Sequence, residues 1–139
     1  MGAMEKPRAR VFISHAARDS DWARRLVDQL NAAGLHAWDS STELLPGSDF
    51  SREVSRALDR ADLLVVLISP AAVKSDWVRR EIQYALATEK FQDRLIPVLV
   101  EPTAEDDVPW ILNKLDWAKG TPEKVAEQIV KALEKPRGR

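Results

Sequence analysis

Two continuously apolar runs constrain the fold of this 139-residue chain more than any other feature. The runs extend from Leu63 to Ile68 and from Leu95 to Val100, and both are rich in branched side chains. Runs of this length without polar alternation are typical of strands that are covered on both faces. Such strands belong to parallel sheets, in which a helix connects each strand to the next. The two runs therefore predict the central strands of a parallel sheet.

The rest of the chain alternates shorter strand-like runs with helical patterns. Strands are predicted at Arg10 to Ser14, at Leu35 to Trp38 and near Leu115 to Trp117. Apolar residues recur at helical spacing in four segments. The members of these stripes are Trp22, Leu26, Val27 and Leu30; Phe50, Val54 and Leu58; Val78, Ile82, Ala85 and Leu86; and Val125, Ile129, Val130 and Leu133. Together they predict an α/β fold, a parallel sheet with helices on both faces.

Three residues mark details of these elements. Ser75 and Thr121 stand where the last two helices begin, and their hydroxyl groups are suited to cap the first free N–H groups. Pro97 lies inside a predicted strand although it has no N–H to donate. We therefore expect a bulge or an unpaired side at Pro97.

Composition excludes several classes of function. The 21 lysines and arginines are nearly balanced by 22 aspartates and glutamates. The chain therefore has no excess of positive charge that would attract nucleic acid or an anionic membrane. With no cysteine and two histidines, the chain offers no disulfide, no thiolate nucleophile and little basis for a metal site. The apolar runs are too short to cross a bilayer, and the lack of cysteine fits a cytoplasmic location. No metal, nucleic acid or membrane partner is expected.

The length fits a single domain, and neither a linker nor a repeat divides it. We interpret residues 1–3 as a remnant of expression cloning. Residues 4–134 are predicted to form the domain, and residues 135–139 a C-terminal tail.

Ligands of such sheets bind beyond the C-terminal ends of the strands, where Ser14, His15, Asp39 and Ser69 are expected. Neither GxGxxG nor GxxxxGK[ST] occurs, so the two common glycine-rich phosphate loops are missing. A Ser-His-Asp hydrolase drawing on Ser14, His15 and Asp19 is disfavoured, because adjacent strand residues point to opposite sides and no GxSxG elbow is present. The site is expected to use another chemistry.

Three ordered blocks resemble the Toll/interleukin-1 receptor (TIR) domain family of bacteria, plants and animals. They are VFISH at the end of the first strand, ELLPG after the second and SPAAVKSDWVRRE after the third. The resemblance runs from Val11 to about Val100 and leaves residues 101–117 poorly assigned. It implies a flavodoxin-like sheet of five parallel strands in the order 2-1-3-4-5.

The resemblance implies two possible functions. Many members of the family act in immunity by cleaving the bond between nicotinamide and ribose in NAD⁺, which yields ADP-ribose or a cyclic ADP-ribose isomer. Others only assemble into signalling scaffolds. The enzymatic members carry a WxxxE arrangement in the helix after the third strand, and Trp77 and Glu81 reproduce it. In the enzymatic interpretation NAD⁺ is the substrate and no cofactor is expected.

One carboxylate is enough for this cleavage. Nicotinamide leaves as a neutral base, so no acid is needed to protonate it. What must be stabilised is the positive charge that develops on the ribose. Glu81 is therefore predicted to be catalytic. The resemblance assigns substrate contacts to Ser14, His15, Asp39, Phe50, Val73 and Trp77, and head-to-tail association with other TIR domains to the loop Glu43, Leu44, Leu45, Pro46 and Gly47.

Simpler interpretations stand beside these. From the pattern alone, Glu81 is a solvated helix residue and His15 a surface imidazole. Asp39 is a turn residue and Asp19 a helix cap, while Phe50, Val73 and Trp77 have packing roles. The alternative function is a non-enzymatic module, an adaptor or host-mimicking effector that binds other TIR domains. A third function is transfer of the ADP-ribosyl or ribosyl group to another acceptor.

Overall fold

Four parallel strands form the centre of the structure, a computed structural model that describes residues 8–39, 50–91 and 94–134. The strands are β1 (Arg10–Ser14), β2 (His36–Asp39), β3 (Leu63–Ile68) and β4 (Leu95–Leu99). Their order is β2-β1-β3-β4, and every neighbouring pair is parallel. The α/β class and the parallel sheet are confirmed.

Five α-helices among the described residues connect and cover the strands. They are α1 (Ser20–Ala32), α2 (Phe50–Asp59), α3 (Pro70–Val73), α4 (Asp76–Ala87) and α5 (Pro122–Glu134). Both predicted caps are confirmed: Ser75 Oγ accepts from the Val78 N–H and Thr121 Oγ1 from the Lys124 N–H, each at 3.2 Å. No described helix has the length and apolar character to cross a membrane.

The two faces of the sheet build separate cores. Alternate residues of β1 point to opposite sides, so that Val11 and Ile13 pack with α1 and α5 while Phe12 packs with α4. The predicted stripes of α1 and α5 lie in or against the first core, with the exception of Val130. In α4 the predicted stripe is confirmed for Val78, Ile82 and Ala85 but is wrong for Leu86, which is 37% exposed.

The predicted fifth strand is not formed as a strand in the described residues. Its place beside β4 is held by a single parallel bridge between Val98 and Ala118, and residues 115–117 before the bridge are irregular. A fifth ladder would need donors on the outer side of β4, and Pro97 has none there.

Pro97 fits the sheet without a bulge, because β4 pairs with β3 residue by residue through it. Hydrogen bonds to β3 come from the residues on either side, such as Val98, since N–H and C=O groups of one residue in a parallel strand point the same way. Pro97 faces away from β3, and its carbonyl accepts from the Ala118 N–H at 3.0 Å. Of the two predicted alternatives, the bulge is not formed, and the outward side of Pro97 is paired only through its carbonyl.

Residues 101–117 consist of loops and two 3-10 turns, Glu105–Asp107 and Trp110–Lys114. Trp110 is 70% exposed, with the Lys114 ammonium 5.9 Å from its ring centroid. Trp117 is half-buried against the α4-side core and donates to the Leu112 carbonyl at 2.9 Å. One tryptophan of this segment is thus a surface residue and the other a packing residue.

Candidate active site

Glu81 lies on the buried face of α4, opposite the C-terminal end of β1. The helix begins at the cap Ser75, and its inward positions are Trp77, Val78, Glu81, Ile82 and Ala85. Glu81 is 0% exposed and Trp77, one turn earlier, is 8% exposed. The interpretation of Glu81 as a solvated helix residue is therefore wrong.

One oxygen of the Glu81 carboxyl group is bound and the other is not. Ser14 is the last residue of β1, and its hydroxyl donates to Glu81 Oε1 at 2.5 Å. Glu81 Oε2 is buried and makes no hydrogen bond within the described part of the chain. Buried oxygens without a partner are rare, which makes Oε2 a candidate position for contact with a ligand.

Burial raises the pKa of Glu81 from 4.5 to about 8. The hydrogen bond from Ser14, the charge of His15 and a hydrogen bond from the Trp77 indole all lower this pKa, but they do not offset the loss of water around the charged form. The Glu81 side chain is therefore poised to change its charge near neutral pH, as many catalytic carboxyl groups are.

His15 follows Ser14 and is also buried, with 2% of its surface exposed. Its Nδ1 lies 2.7 Å from the Ala16 carbonyl oxygen, and its Nε2 lies 2.7 Å from Oδ2 of Asp39 at the end of β2. Burial lowers the pKa of His15. The hydrogen bonds to Asp39 and Ala16 and the charges of Asp39 and Asp19 outweigh burial and leave the pKa above 6.5. The surface-imidazole interpretation is wrong.

Asp19 occupies the cap position of α1 but makes no capping bond with its side chain. Its Oδ2 instead accepts from the Ser69 hydroxyl at 2.5 Å, and Ser69 Oγ accepts from the Ala72 N–H at 3.1 Å. The carboxylate thus joins the start of α1 to the start of α3. Because Ser14 donates to Glu81 and not to His15, no Ser-His-Asp hydrolase arrangement is formed.

The structure brings together Ser14, His15, Asp39, Trp77 and Glu81 where β1, β2 and α4 meet. Val73 lies on the other flank of α4, at a hollow of about 440 Å³. Phe50 begins α2, but its side chain lies outside the described residues, as does the predicted association loop Glu43 to Gly47. The hollow at Val73 is lined by Ile68, Ala72, Val73, Val78, Arg79, Ile82 and residues 106–110.

The sequence offered little sign of two of these contacts. Ser14 and Glu81 are 67 positions apart, and Asp19 and Ser69 are 50 apart. The one signal was that Ser14 and Ser69 both end strands, where parallel sheets collect polar groups. Among the described residues, no cluster of three histidine, aspartate or glutamate side chains could hold a metal ion.

Comparison with known proteins agrees with the resemblance to TIR domains. The TIR domain family model matches residues 11–135. The 2' cyclic ADP-D-ribose synthase BtTIR of Bacteroides thetaiotaomicron is 30% identical over 109 residues, which cover 75% of this chain and 38% of that protein. The NAD(+) hydrolase PdTIR of Paracoccus denitrificans is 29% identical over 129 residues, which cover 88% of this chain and 42% of that protein.

Among solved structures, a metazoan TIR-STING receptor from C. gigas superposes with a TM-score of 0.68 at 27% identity. The match covers 98% of this chain and 44% of that one. The chain thus spans less than half the length of each of these three relatives.

Proposed function

The chain belongs to the TIR domain family, and from that premise we propose that it cleaves the nicotinamide–ribose bond of NAD⁺ with Glu81 as its catalytic residue. The products are nicotinamide and either ADP-ribose or a cyclic ADP-ribose isomer. The observation that carries the proposal is the buried Glu81 carboxyl group with one oxygen, Oε2, left without a partner. Two similar proteins are named for NAD⁺ hydrolysis and for synthesis of a cyclic ADP-ribose, which supports the same chemistry here.

The chemistry follows from the charge on the substrate. The nicotinamide of NAD⁺ carries a positive charge and departs with the bonding electrons as a neutral base, so no proton is needed on the leaving group. Positive charge moves to the ribose carbon as the bond breaks, and a carboxylate held against it stabilises the transition state. Low-dielectric surroundings strengthen this attraction, and Glu81 is fully buried.

The neighbouring residues shape the proposed site. Ser14 fixes Oε1, so that the free Oε2 is the oxygen left to face the sugar. Trp77 lies one turn from Glu81 and forms a wall, and the partly exposed carboxylate of Asp39 is suited to hold ribose hydroxyl groups. Phe50 and Val73 complete the set of proposed substrate contacts. No cofactor is part of the reaction.

Self-association is the second part of the proposal. The loop Glu43 to Gly47 begins four residues after Asp39 and would contact a second TIR domain head to tail. NAD⁺ and other TIR domains are the proposed partners, in cytoplasmic immune signalling. Since Glu81 is fully buried, activity is expected to rise steeply with protein concentration as copies complete each other's sites.

Release of nicotinamide tests the proposal. Protein at increasing concentration, with and without a crowding agent, is mixed with NAD⁺ and the products are separated by chromatography. Glu81→Gln removes the charge while keeping the size, and it should lower kcat by about 10²–10³-fold. The matched control is Glu89→Gln, an exposed glutamate just beyond α4, which should leave the rate unchanged. Full turnover by the Glu81 variant would refute the assigned role.

The complete burial of Glu81 also suits a second function, a TIR module that assembles without chemistry. That function is supported if the protein forms concentration-dependent assemblies but releases no nicotinamide under any condition. Mass spectrometry of the same reactions distinguishes hydrolysis from transfer of the ADP-ribosyl group, because only transfer leaves ADP-ribose attached to an added acceptor.

A further inference from the structure

We propose that Asp39 and His15 form a charge pair that favours the ionised, working form of Glu81, which makes His15 a positioning residue and not a substrate contact. The proposal deepens the function proposed above and rests on it, because it takes Glu81 as the catalytic group. It depends on the contacts at the last residue of β1 and the residue after it.

The contacts of His15 determine its charge. The Ala16 carbonyl oxygen can only accept a hydrogen bond, so Nδ1, 2.7 Å away, carries a hydrogen. The Asp39 carboxylate also only accepts when it is ionised, so Nε2, again 2.7 Å away, carries a second hydrogen. An imidazole with hydrogens on both nitrogens is a cation. The geometry therefore favours imidazolium at this position.

The ionisable groups around the pair are few and come from three elements. Within the described residues, Asp39 at the end of β2 and Asp19 before α1 act on His15, and His15 acts on Glu81 of α4. The imidazolium is thus one cation among three carboxyl groups. Its ring is 2% exposed, so water and salt screen its charge little.

The last residue of β1 and the residue after it both act on Glu81. Ser14 donates a hydrogen bond to Oε1, and His15 supplies positive charge. Both favour the ionised carboxyl group, whereas burial opposes it and keeps the pKa at about 8. Only the ionised form stabilises positive charge on the ribose. Loss of the imidazolium would raise the pKa of Glu81 further and leave more of it protonated and inactive at neutral pH.

The pH dependence of kcat/KM for NAD⁺ cleavage tests this. His15→Gln keeps an N–H for Asp39 but removes the charge. It should shift the acid limb of the profile to higher pH by about one unit. At pH 7 kcat/KM should fall roughly tenfold, and the loss should disappear at higher pH. Asp39→Asn removes the carboxylate that stabilises the imidazolium form of His15, and it should shift the acid limb in the same direction. His36→Gln, at the exposed histidine of β2, is the matched control and should not move it.

A structural role for His15 would lower the whole profile without moving the acid limb, and that outcome would overturn the proposal. Should His15→Gln not fold, Asp39→Asn carries the same test.

A measurement without substrate separates this proposal from the proposed function. In protein labelled with ¹⁵N-histidine, we expect both His15 nitrogens to show imidazolium shifts at pH 6.5, with the only other signals assigned through His36→Gln. In protein labelled with ¹³C-glutamate, the Glu81 carboxyl signal should titrate at higher pH in His15→Gln than in the wild type. Unchanged Glu81 titration would refute the charge pair even if NAD⁺ is cleaved. Absence of cleavage alongside the expected shifts would instead refute the proposed function.

Discussion

Helices α5 and α4 pack on opposite faces of the same sheet, and they differ in what they bury. The inward face of α5 is apolar, with Pro122, Val125, Ala126 and Ile129. The inward face of α4 is apolar except for Glu81, which lies among Trp77, Val78, Ile82 and Ala85. Both helices are amphipathic and both are capped by a hydroxyl side chain. The difference is one carboxyl group.

That carboxyl group distinguishes a helix that stabilises the fold from a helix that carries the candidate site. Each side chain of an apolar stripe stabilises the fold when it is removed from water. The role of α5 is therefore stability only. A buried carboxyl group with an unpartnered oxygen lowers stability unless it is neutral or paired. Residues that weaken a fold in this way concentrate at functional sites. The comparison assigns to α5 the support of the sheet and to α4 the proposed chemistry.

The largest expected effect on stability comes from α5. Ile129→Ala removes a fully buried side chain and should lower the free energy of unfolding by about 2–5 kcal/mol, measured by urea denaturation. Glu127→Ala, exposed on the same helix, is the control and should change it by less than about 0.5 kcal/mol. Turnover per folded molecule should remain that of the wild type. A loss of turnover beyond the unfolded fraction would contradict the separation of tasks.

The pH dependence of stability should come from the other helix. Native Glu81 keeps its proton up to about pH 8, whereas a glutamate in the unfolded chain loses it near 4.5. Between these values the native state binds more protons, so Glu81 makes stability fall with rising pH by up to about 1.4 kcal/mol per pH unit. His15 acts in the same sense, because its raised pKa adds stability that is present below 6.5 and lost above its native value.

Urea denaturation at pH 5, 6.5 and 8 measures this slope. Glu81→Gln should flatten it, whereas Ile129→Ala should lower stability by a similar amount at each pH. The comparison between the helices fails if both variants keep the wild-type slope.

The smallest expected effect on stability is the loss of a helix cap, and it should be equal in the two helices. Ser75→Ala and Thr121→Ala each remove a capping oxygen, and each should cost about 1 kcal/mol of stability. Only Ser75→Ala is expected to reduce NAD⁺ cleavage as well, because fraying of the first turn of α4 displaces Trp77. Matched thermal melts and rate measurements test the pair. Equal loss of turnover in both variants would show that the site depends on global stability and not on its own helix.

Much of the fold could be predicted because local patterns determined it. The apolar runs located β3 and β4, and the hydroxyl residues Ser75 and Thr121 located the starts of α4 and α5. The fifth strand could not be excluded from local pattern, since its absence depends on Pro97 facing outward in the finished sheet. Leu86 continues the apolar stripe of α4, but it lies near the end of the helix, beyond the edge of the core.

Five residues of the predicted site lie together in the structure, but their contacts could not be predicted. Trp77 and Glu81 were predicted through the resemblance to the WxxxE arrangement of enzymatic TIR domains, and Ser14, His15 and Asp39 through their places at strand ends. The hydrogen bond between Ser14 and Glu81 depends on how α4 lies against β1, which no local pattern specifies. For the same reason Asp19 was expected to cap its own helix, although it binds Ser69. The assigned roles toward NAD⁺ stay predictions.

Pro97 has a consequence for how copies of this domain meet. An exposed edge strand with regular N–H and C=O groups is a template on which a neighbouring chain extends the sheet, and such extension leads to uncontrolled aggregation. On the outer side of β4 the proline ring interrupts that template, and the bridge to Ala118 occupies the carbonyl beside it. This border therefore resists strand-by-strand growth, and a second copy could associate here only through side chains and loops.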